Sequence, residues 1–343
     1  MKWRITILSF LFSTFIIGQQ FNCTSFVYKN GIVYLAKNLD WAIGNGLILF
    51  NKSGKVKKSI YSKGENKSWI SRYSSITFNH FGLNNPLGGM NEKGLTVEEL
   101  STWPVDYPFN ENQLVLSEFE WIQYQLDSYS TVAEVITKID SISVKEFYFD
   151  IHYIIADSSG DVAVIEFMDG NPIIYRGVRL PHSILTNNNY SDLTKYIKLR
   201  PEANIHKLEV NSSQDRFLKT IELIDSYHSG KEKKSELGIM NILDSVKVAD
   251  TKWSIVYNLS AKKISFRIAP NFEIRKIDFP IEQFSENKYV PINSEASFEF
   301  RAFSGKENIE YLKNLQIDLL NNKEFDADDL ADKLNLLIDN SEK

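Results

Sequence analysis

The stretch Gly18-Gln19-Gln20-Phe21-Asn22-Cys23-Thr24 joins two parts of the chain that differ in character, and it holds the single cysteine of the sequence. Before it, Lys2 and Arg4 precede an apolar run over residues 5–17. This run is shorter than the ~20 residues of a membrane-spanning helix and has the pattern of a secretory signal peptide. We therefore predict a secreted, periplasmic or extracellular protein whose folded part begins near Cys23.

The residues around this junction indicate that the chain is cleaved twice by proteolysis. Signal peptidase prefers small residues before the cut, and Gly18 meets that preference better than Asn22 does. A cut there gives a signal peptide of residues 1–18 and leaves residues 19–22 as a short pro-segment. Its removal, by the protein itself or by a later signal-peptidase cut, would make Cys23 the first residue. No lipobox precedes the cysteine, which disfavours a lipid anchor.

Composition restricts the class of protein. The chain has 39 basic and 44 acidic residues, and loss of Lys2 and Arg4 with the leader lowers the basic count to 37, for a net charge of −7. This balance and the absence of a basic stripe argue against a nucleic-acid partner. No later run is apolar enough to span a membrane. No Pro/Gly/Ser-rich linker divides residues 23–343, so we predict one domain.

The lone cysteine has two interpretations. A secreted chain with one cysteine cannot form an internal disulfide, and a free thiol is a liability in an oxidising compartment. Cys23 is therefore either a nucleophile or a buried, inert residue. Composition alone does not decide between them.

The pattern after Cys23 predicts strands and helices in alternating blocks. Asn30-Gly31 is a strong two-residue hairpin signal between strands over 24–29 and 32–36, and it leaves Asp40 just past the second strand. A second hairpin is predicted around Ser53-Gly54. Further strands are predicted over 73–79, 95–100, 152–156, 161–167, 172–175, 253–258 and 263–268. Helical spacing of apolar residues predicts helices over 114–126, 132–139, 213–227 and 235–246, and a charged helical C-terminal tail over 304–343.

This order of strands, two helices, strands, two helices and strands suits two antiparallel sheets packed together with helices outside both. We predict an α+β fold, a four-layer αββα sandwich. The sequence lacks a GxSxG elbow, a P-loop and a GxGxxG loop, and its five histidines do not fall at metal-ligand spacings. We therefore predict neither a metal nor a cofactor.

Six motifs, in one order, carry a resemblance to a known family. Together they resemble the choloylglycine hydrolase and penicillin V acylase family of N-terminal-nucleophile hydrolases, over about residues 23 to 268. This resemblance implies an αββα fold, maturation to an N-terminal cysteine, and hydrolysis of linear C–N amide bonds other than peptide bonds. The motifs are Cys23-Thr24, Asn38-Leu39-Asp40-Trp41, Gly89-Met90-Asn91-Glu92-Lys93-Gly94-Leu95, Leu185-Thr186-Asn187, Asp215-Arg216-Phe217 and Thr251-Lys252-Trp253-Ser254.

Physical chemistry supports a terminal Cys23 as nucleophile. A free thiol has a pKa near ~8.5, and an α-amine has one near ~7.7–8.0, so a terminal cysteine carries its own general base. Acylated by Asn22, the same nitrogen is an amide and cannot accept the proton. Removal of the residues before Cys23 is therefore part of the predicted chemistry.

Two charged residues are predicted beside Cys23. Asp40 follows the first hairpin and so folds back toward the cysteine, where its carboxylate can orient the α-amine; the alternative is a surface turn aspartate. Arg216 matches the family's arginine, whose charge would favour the thiolate. The alternative for Arg216 is an arginine on a helix surface.

Three residues are candidates for stabilising the oxyanion. Asn187 matches the family's side-chain donor, and its place in a run of three asparagines leaves Asn188 as an alternative register. Asn91 matches a second family asparagine, with a structural turn role as the alternative. Ser101 is a weaker candidate, as a backbone donor. In addition, Lys37 stands where many relatives have arginine, which keeps the charge but loses the planar bidentate fork.

The sequence thus predicts a secreted cysteine amidase acting on a small acyl amide. Conjugated bile salts, penicillin V and N-acyl homoserine lactones all fit, and the loops over 43–49, 61–72 and 103–109 are expected to decide among them. Trp103, Tyr107 and Phe109 are either an acyl pocket or core aromatics. The resemblance implies a homo-oligomer, often a tetramer. An acyltransferase of the same fold and a non-catalytic secreted binding protein are the alternatives.

Overall fold

The structure is a computed structural model that describes residues 22–61, 68–199, 209–210, 212–230, 234–279, 284–294, 299–320 and 327–341. The predicted signal peptide, residues 1–18, and all of the predicted pro-segment except Asn22 lie outside the described residues. No helix among the described residues combines the length and the apolar character needed to cross a membrane.

The strands alternate in blocks with the helices. The strands are β1 Thr24–Lys29, β2 Val33–Asp40, β3 Leu47–Asn51, β4 Val56–Lys58, β5 Ser68–Ile70, β6 Ser75–Asn79, β7 Pro86–Asn91, β8 Thr96–Ser101, β9 Leu114–Leu116, β10 Ile142–Val144, β11 Ile151–Ala156, β12 Val162–Met168, β13 Asn171–Arg176, β14 Ile184–Leu185, β15 Thr251–Asn258, β16 Lys263–Ile268, β17 Arg275–Asp278, β18 Lys288–Pro291 and β19 Arg301–Ala302. The helices are α1 Glu118–Ser128, α2 Val132–Lys138, α3 Tyr190–Leu199, α4 Ser213–Ser229, α5 Glu236–Ser245, α6 Gly305–Leu320 and α7 Ala327–Ser341.

Two large antiparallel sheets form the body of the domain. One has six strands in the order β14-β1-β2-β15-β16-β17, and the other has nine in the order β13-β12-β11-β8-β7-β6-β3-β18-β19. Helices α4 and α5 pack on the six-stranded sheet, and α1 packs on the nine-stranded sheet. Phe78 of β6 lies 5.7 Å from Phe266 of β16, between ring centroids, so the inner faces of the two sheets meet in an aromatic core. The predicted α+β sandwich is confirmed.

The first hairpin is the centre of the six-stranded sheet. β1 pairs with β2 in register from Thr24 opposite Asn38 to Lys29 opposite Val33. Gly31 takes a φ of +73° in the turn, which a residue with a Cβ rarely adopts. Every residue of β2 is buried, because helices cover one face of the strand and the other sheet covers the other. This geometry places Cys23 directly before β1 and beside Asp40, the last residue of β2.

Two local predictions differ from the structure, and several elements were not predicted. The predicted hairpin around Ser53-Gly54 is wrong in its pairing: the fully buried β3 pairs with β6 and β18, whereas the half-exposed β4 pairs with β5 as a surface ribbon. The predicted helix over 114–126 begins only after Ser117, whose side chain and that of Glu120 form a capping box. Helix α3 and the strands β7, β9, β10 and β17 to β19 were not predicted.

Helices α6 and α7 occupy the region predicted as a helical tail. Helix α6 packs back onto the turn between β6 and β7, and α7 packs against α6. The Tyr311 hydroxyl donates to the His80 carbonyl at 2.9 Å, and the Leu83 amide donates to Asn308 Oδ1 at 2.8 Å. The C-terminal helices therefore brace the segment that leads into Phe81 and Leu87.

Candidate active site

The Cys23 thiol is buried where the two sheets meet. Its side chain is 1% exposed, and Sγ lies 4.0 Å from the Asp40 carbonyl oxygen. Burial raises the pKa of the Cys23 thiol to about 12; the charge of Lys37 opposes this shift, and Asp40 and Glu99 add to it. With Asn22 still attached, the thiol is protonated at neutral pH. A base within reach is therefore needed to make it a nucleophile.

A small cavity lies against Cys23. Its wall is mostly aromatic and aliphatic, and the carboxylate of Glu99 is the charged group in it. Such a surface suits an apolar acyl group. The lining residues are Cys23, Leu39, Trp41, Phe81, Leu87, Glu99, Ser101, Phe119, Phe149 and Ile151.

Asp40 is buried beside the cysteine, so it is not a surface turn residue. Its Oδ1 accepts a hydrogen bond from the Thr251 hydroxyl, whereas Oδ2 is buried and has no hydrogen-bond partner among the described residues. Burial raises the pKa of Asp40 to about 7, although the Thr251 hydrogen bond and the charge of Arg216 lower it. The carboxyl group therefore has one oxygen fixed and one able to accept a further donor.

The raised pKa of Asp40 predicts a pH-dependent loss of stability. Between about pH 4, where the unfolded carboxyl titrates, and about pH 7, the native state binds more protons, so stability falls as the pH rises. Asp40→Asn removes this titration. We expect the parent's advantage in unfolding free energy over Asp40→Asn to shrink between pH 4 and pH 8, on the order of 4 kcal/mol.

Urea unfolding of both proteins at each pH measures this difference. Both should carry Cys23→Ala, so that neither is processed during the measurement. A difference between the two proteins that is constant over this pH range would show that Asp40 titrates normally.

Arg216 lies inside the domain, not on the surface of α4. It is fully buried, and burial lowers its pKa. Nε donates to Thr24 Oγ1 at 3.2 Å, and one terminal nitrogen donates to Asn187 Oδ1 at 3.0 Å. One guanidinium thus connects the strand after the nucleophile to the candidate oxyanion donor.

Asn187 and Ser101 are held together on the other side of Arg216. Asn187 Nδ2 donates to the Ser101 carbonyl at 2.8 Å. With Oδ1 fixed by Arg216, the amide has one orientation, and a second Nδ2 hydrogen remains beyond the one given to Ser101. Ser101 lines the cavity beside Cys23, and it contributes its carbonyl to this network.

Asn91 is not brought to Cys23. Its Nδ2 donates to the carbonyls of Leu126 and Tyr129, at 2.8 and 2.7 Å, and its Oδ1 accepts from the amides of Lys93 and Leu95. The side chain ties the β7–β8 turn to the end of α1. Oxyanion support by Asn91 is therefore corrected to the turn role, because both amide hydrogens are already used there.

Lys37 has partners that the sequence did not reveal. Its Nζ lies 3.0 Å from a carboxylate oxygen of Glu98 and 3.0 Å from one of Glu99, both on β8 of the opposite sheet. Burial alone would lower the pKa of Lys37, but the two carboxylates outweigh this and raise it. The positive charge of Lys37 therefore interacts with two carboxylates as well as with the Cys23 thiol. The signal in the sequence was the pair of adjacent acids, Glu98-Glu99, between Val97 and Leu100 in a predicted strand.

The three candidate pocket aromatics do not line the cavity. Trp103 and Phe109 are 80% and 62% exposed. The Tyr107 hydroxyl instead donates to the Phe149 carbonyl and accepts from the Ile151 amide, each at 3.0 Å. Tyr107 therefore supports the wall of the cavity from behind. Of the loop over 61–72, residues 62–67 lie outside the described residues.

Comparisons with known proteins agree with this geometry. A sequence profile of the linear amide C–N hydrolases, choloylglycine hydrolase family, matches residues 23–216. The chain is 23% identical over 310 residues to a penicillin V acylase of Pectobacterium atrosepticum, covering 75% of this chain and 82% of the relative.

Two solved structures share the fold. The penicillin V acylase from Agrobacterium tumefaciens aligns with a TM-score of 0.66 at 23% identity, covering 78% of this chain and 90% of that one. A mutant of the conjugated bile acid hydrolase from Clostridium perfringens aligns with a TM-score of 0.64 at 18% identity, covering 81% of this chain and 100% of that one.

Proposed function

Because the chain belongs to the choloylglycine hydrolase family of linear amide C–N hydrolases, we propose that it is a secreted cysteine amidase whose nucleophile is Cys23 at the mature N-terminus. The observation that carries this proposal is the burial of Cys23 against an apolar cavity, with Asp40, Asn187 and Arg216 around it. Secretion rests on the leader pattern of residues 1–18.

The proposed reaction begins when the α-amine of Cys23 takes the thiol proton. The resulting ammonium donates to Asp40 Oδ2, which has no other partner among the described residues. The thiolate attacks the amide carbonyl, and Asn187 Nδ2 donates to the oxyanion, with the Ser101 backbone amide as the proposed second donor. Collapse of the intermediate returns the proton to the leaving amine. Water then hydrolyses the thioester, with the α-amine as base.

The cavity also supports a substrate preference. Four aromatic side chains, Trp41, Phe81, Phe119 and Phe149, form much of the wall of this small cavity. Aromatic walls suit a planar aromatic ring, which packs against them offset or edge to face, better than a saturated sterol, which has no such ring. Penicillin V, with its phenoxyacetyl group, is therefore the expected substrate among the three amide classes.

A panel of penicillin V, a glycine-conjugated bile salt and an N-acyl homoserine lactone tests the proposal. Amine release by the mature protein is measured for each, and penicillin V is expected to give the highest kcat/KM. A competing amine that yields a new conjugate would instead indicate an acyltransferase. Failure of all three, together with a Cys23 that does not react with a thiol probe, would favour a binding protein.

Asn187→Ala is expected to lower kcat by ~10²–10³-fold, the usual cost of losing one oxyanion donor. Asn188→Ala is the matched control, since it removes a neighbouring amide of the same size. We expect that variant to stay within about threefold of the parent, on the scale of ordinary surface changes. The reverse ranking, with Asn188→Ala the more damaged, would move the donor one residue along the chain.

A further inference from the structure

Phe149 connects the aromatic side chains that wall the cavity. The centroid of its ring lies 5.7 Å from that of Phe81, 5.9 Å from that of Phe119 and 6.2 Å from that of Trp41. These are the separations of favourable aromatic pairs. All four rings line the cavity beside Cys23. The position of Phe149 therefore sets the shape of the space that would receive an acyl group.

The segment that carries Phe149 lies between β10 and β11, outside both strands. The backbone amides of Phe147, Tyr148 and Phe149 all donate to the carboxylate of Glu118, at 2.6, 2.9 and 3.0 Å. Glu118 is fully buried at the start of α1, so water does not compete for these hydrogen bonds. A single carboxylate therefore satisfies three consecutive backbone donors of the cavity wall.

A second side chain holds the other end of this segment. The Tyr107 hydroxyl donates to the Phe149 carbonyl and accepts from the Ile151 amide, each at 3.0 Å. Ile151 is itself part of the cavity wall. The amide and the carbonyl of Phe149 are thus bound by two different side chains, and both act from behind the wall.

We propose that Glu118 and Tyr107 determine which acyl group the cavity accepts, because together they fix the backbone that carries Phe149 and Ile151. Both are positioning residues: they act through residues 147–151 and touch neither the substrate nor the thiol. The inference rests on the proposed function, since it concerns the acyl group of the same reaction. An aromatic acyl group gains affinity by packing against Phe149, so a displaced segment weakens the binding of the ring first.

Glu118→Gln keeps the size of the side chain and changes one acceptor into a donor. The carboxylate has two accepting oxygens, whereas the glutamine amide has one oxygen and one donating nitrogen. At least one of the three backbone amides would then face another donor in a buried site, which is unfavourable enough to displace the segment. Burial raises the pKa of Glu118 to about 7, although the three amides lower it. At pH 8 the parent carboxyl group is therefore mostly ionised.

Glu120→Gln is the matched control. Glu120 lies on the same turn of α1 and is equally buried. Its carboxylate accepts from the amides of Ile60 and Ser117 and from the Ser59 hydroxyl. None of these three partners lines the cavity. The two variants therefore lose comparable hydrogen bonds, but only Glu118→Gln loses one to the wall.

Binding of phenoxyacetate to the purified protein at pH 8 tests the inference. Phenoxyacetate is an acyl product that the protein cannot hydrolyse, and acetate is the same anion without the ring. Titration followed by the NMR signals of the ligand gives Kd for both. Glu118→Gln should raise the Kd of phenoxyacetate at least about tenfold, in line with the loss of one aromatic contact, and that of acetate less than about threefold. Tyr107→Phe should shift the Kd of phenoxyacetate in the same direction, and Glu120→Gln should leave it within about threefold of the parent.

Hydrolysis of penicillin V gives a second readout. We expect Glu118→Gln to raise KM about tenfold while kcat stays within about threefold of the parent, because a contact that acts equally on substrate and transition state changes KM alone. A merely structural role would instead reduce the fraction of folded protein. That would lower the apparent kcat at an unchanged KM.

Three results would overturn the inference. A parent that binds phenoxyacetate no more tightly than acetate would show that the aromatic wall does not receive the ring. Unchanged Kd values in the Tyr107→Phe variant, which keeps all three contacts of Glu118, together with no shift in Glu118→Gln or no folded protein from it, would make the two side chains irrelevant to the wall. Equal shifts in Glu118→Gln and Glu120→Gln would assign the effect to the loss of any buried carboxylate.

The binding measurement also separates this inference from the proposed function, because it needs no turnover. If phenoxyacetate binding depends on Glu118 and Tyr107 but no amide is hydrolysed, then the proposed function fails and the role of the two residues stands. If penicillin V is hydrolysed with the same KM by the parent and by both variants, then the proposed function stands and this inference fails.

Discussion

Replacing Cys23 with alanine is expected to abolish amide hydrolysis, with a fall in kcat of at least about 10³-fold. No other cysteine is present in the sequence, so no other thiol can form the acyl intermediate. Serine at this position should also lose most of the activity, because its hydroxyl is a weaker nucleophile in a buried site. The alanine variant should in addition keep Asn22. Product release and intact mass measure the two effects.

Ser25→Ala is the matched control for this experiment. Ser25 lies two residues along β1, is equally buried, and donates to the Ala36 carbonyl at 2.8 Å. Its loss costs about 1 kcal/mol of stability but touches no group in the proposed reaction. Substantial turnover by Cys23→Ala would be incompatible with Cys23 as the nucleophile, and an equal loss in Ser25→Ala would assign the loss to the fold instead.

Lys37→Met is expected to destabilise the protein by about 3–5 kcal/mol at pH 8, because it leaves Glu98 and Glu99 buried together without their cation. Burial already raises the pKa of Glu98, and losing Lys37 raises it further. Glu98 can take up a proton at lower pH. The destabilisation should therefore be smaller at pH 5 than at pH 8, as measured by urea unfolding.

Two controls make the Lys37 result specific. Lys37→Arg keeps the charge and should retain most of the stability. Lys57→Met removes another buried cation, which lies 3.0 Å from Asp127 and does not line the cavity. It should lower stability in the same way, whereas only Lys37→Met should also change the pH profile of kcat/KM. A change in unfolding free energy below about 1 kcal/mol for Lys37→Met would contradict a cluster that depends on its cation.

Local signals predicted the elements that depend on local chemistry. Asn30-Gly31 fixed the first hairpin, and with it the position of Asp40 next to Cys23. The pairing of β3 was missed, because a strand buried on both faces finds its partners through tertiary packing, and Ser53-Gly54 resembles a hairpin signal whether or not the adjacent strands pair. The sequence does contain the signal for the start of α1, which is the capping box of Ser117 and Glu120.

The part of the site that depends on one local hairpin, Cys23 beside Asp40, could be predicted from the sequence. Contacts between sheets could not, because no spacing links Lys37 to Glu98 and Glu99 across the domain. The same limit applies to Arg216, whose helix pattern does not reveal a guanidinium directed at Thr24 and Asn187. Asn91 shows the opposite error: a residue in a shared motif supports a turn and not the reaction centre.

The packing of α6 onto the turn at His80 has a consequence for the timing of synthesis. Cys23 emerges from the ribosome early, but Arg216, Thr251 and Tyr311 follow far behind it. The surroundings of Cys23 therefore form only after the C-terminal part of the chain has been synthesised. On the proposed mechanism, a nascent chain cannot hydrolyse an amide while it is still being translated. The order of these residues in the sequence therefore delays activity until translation is nearly complete.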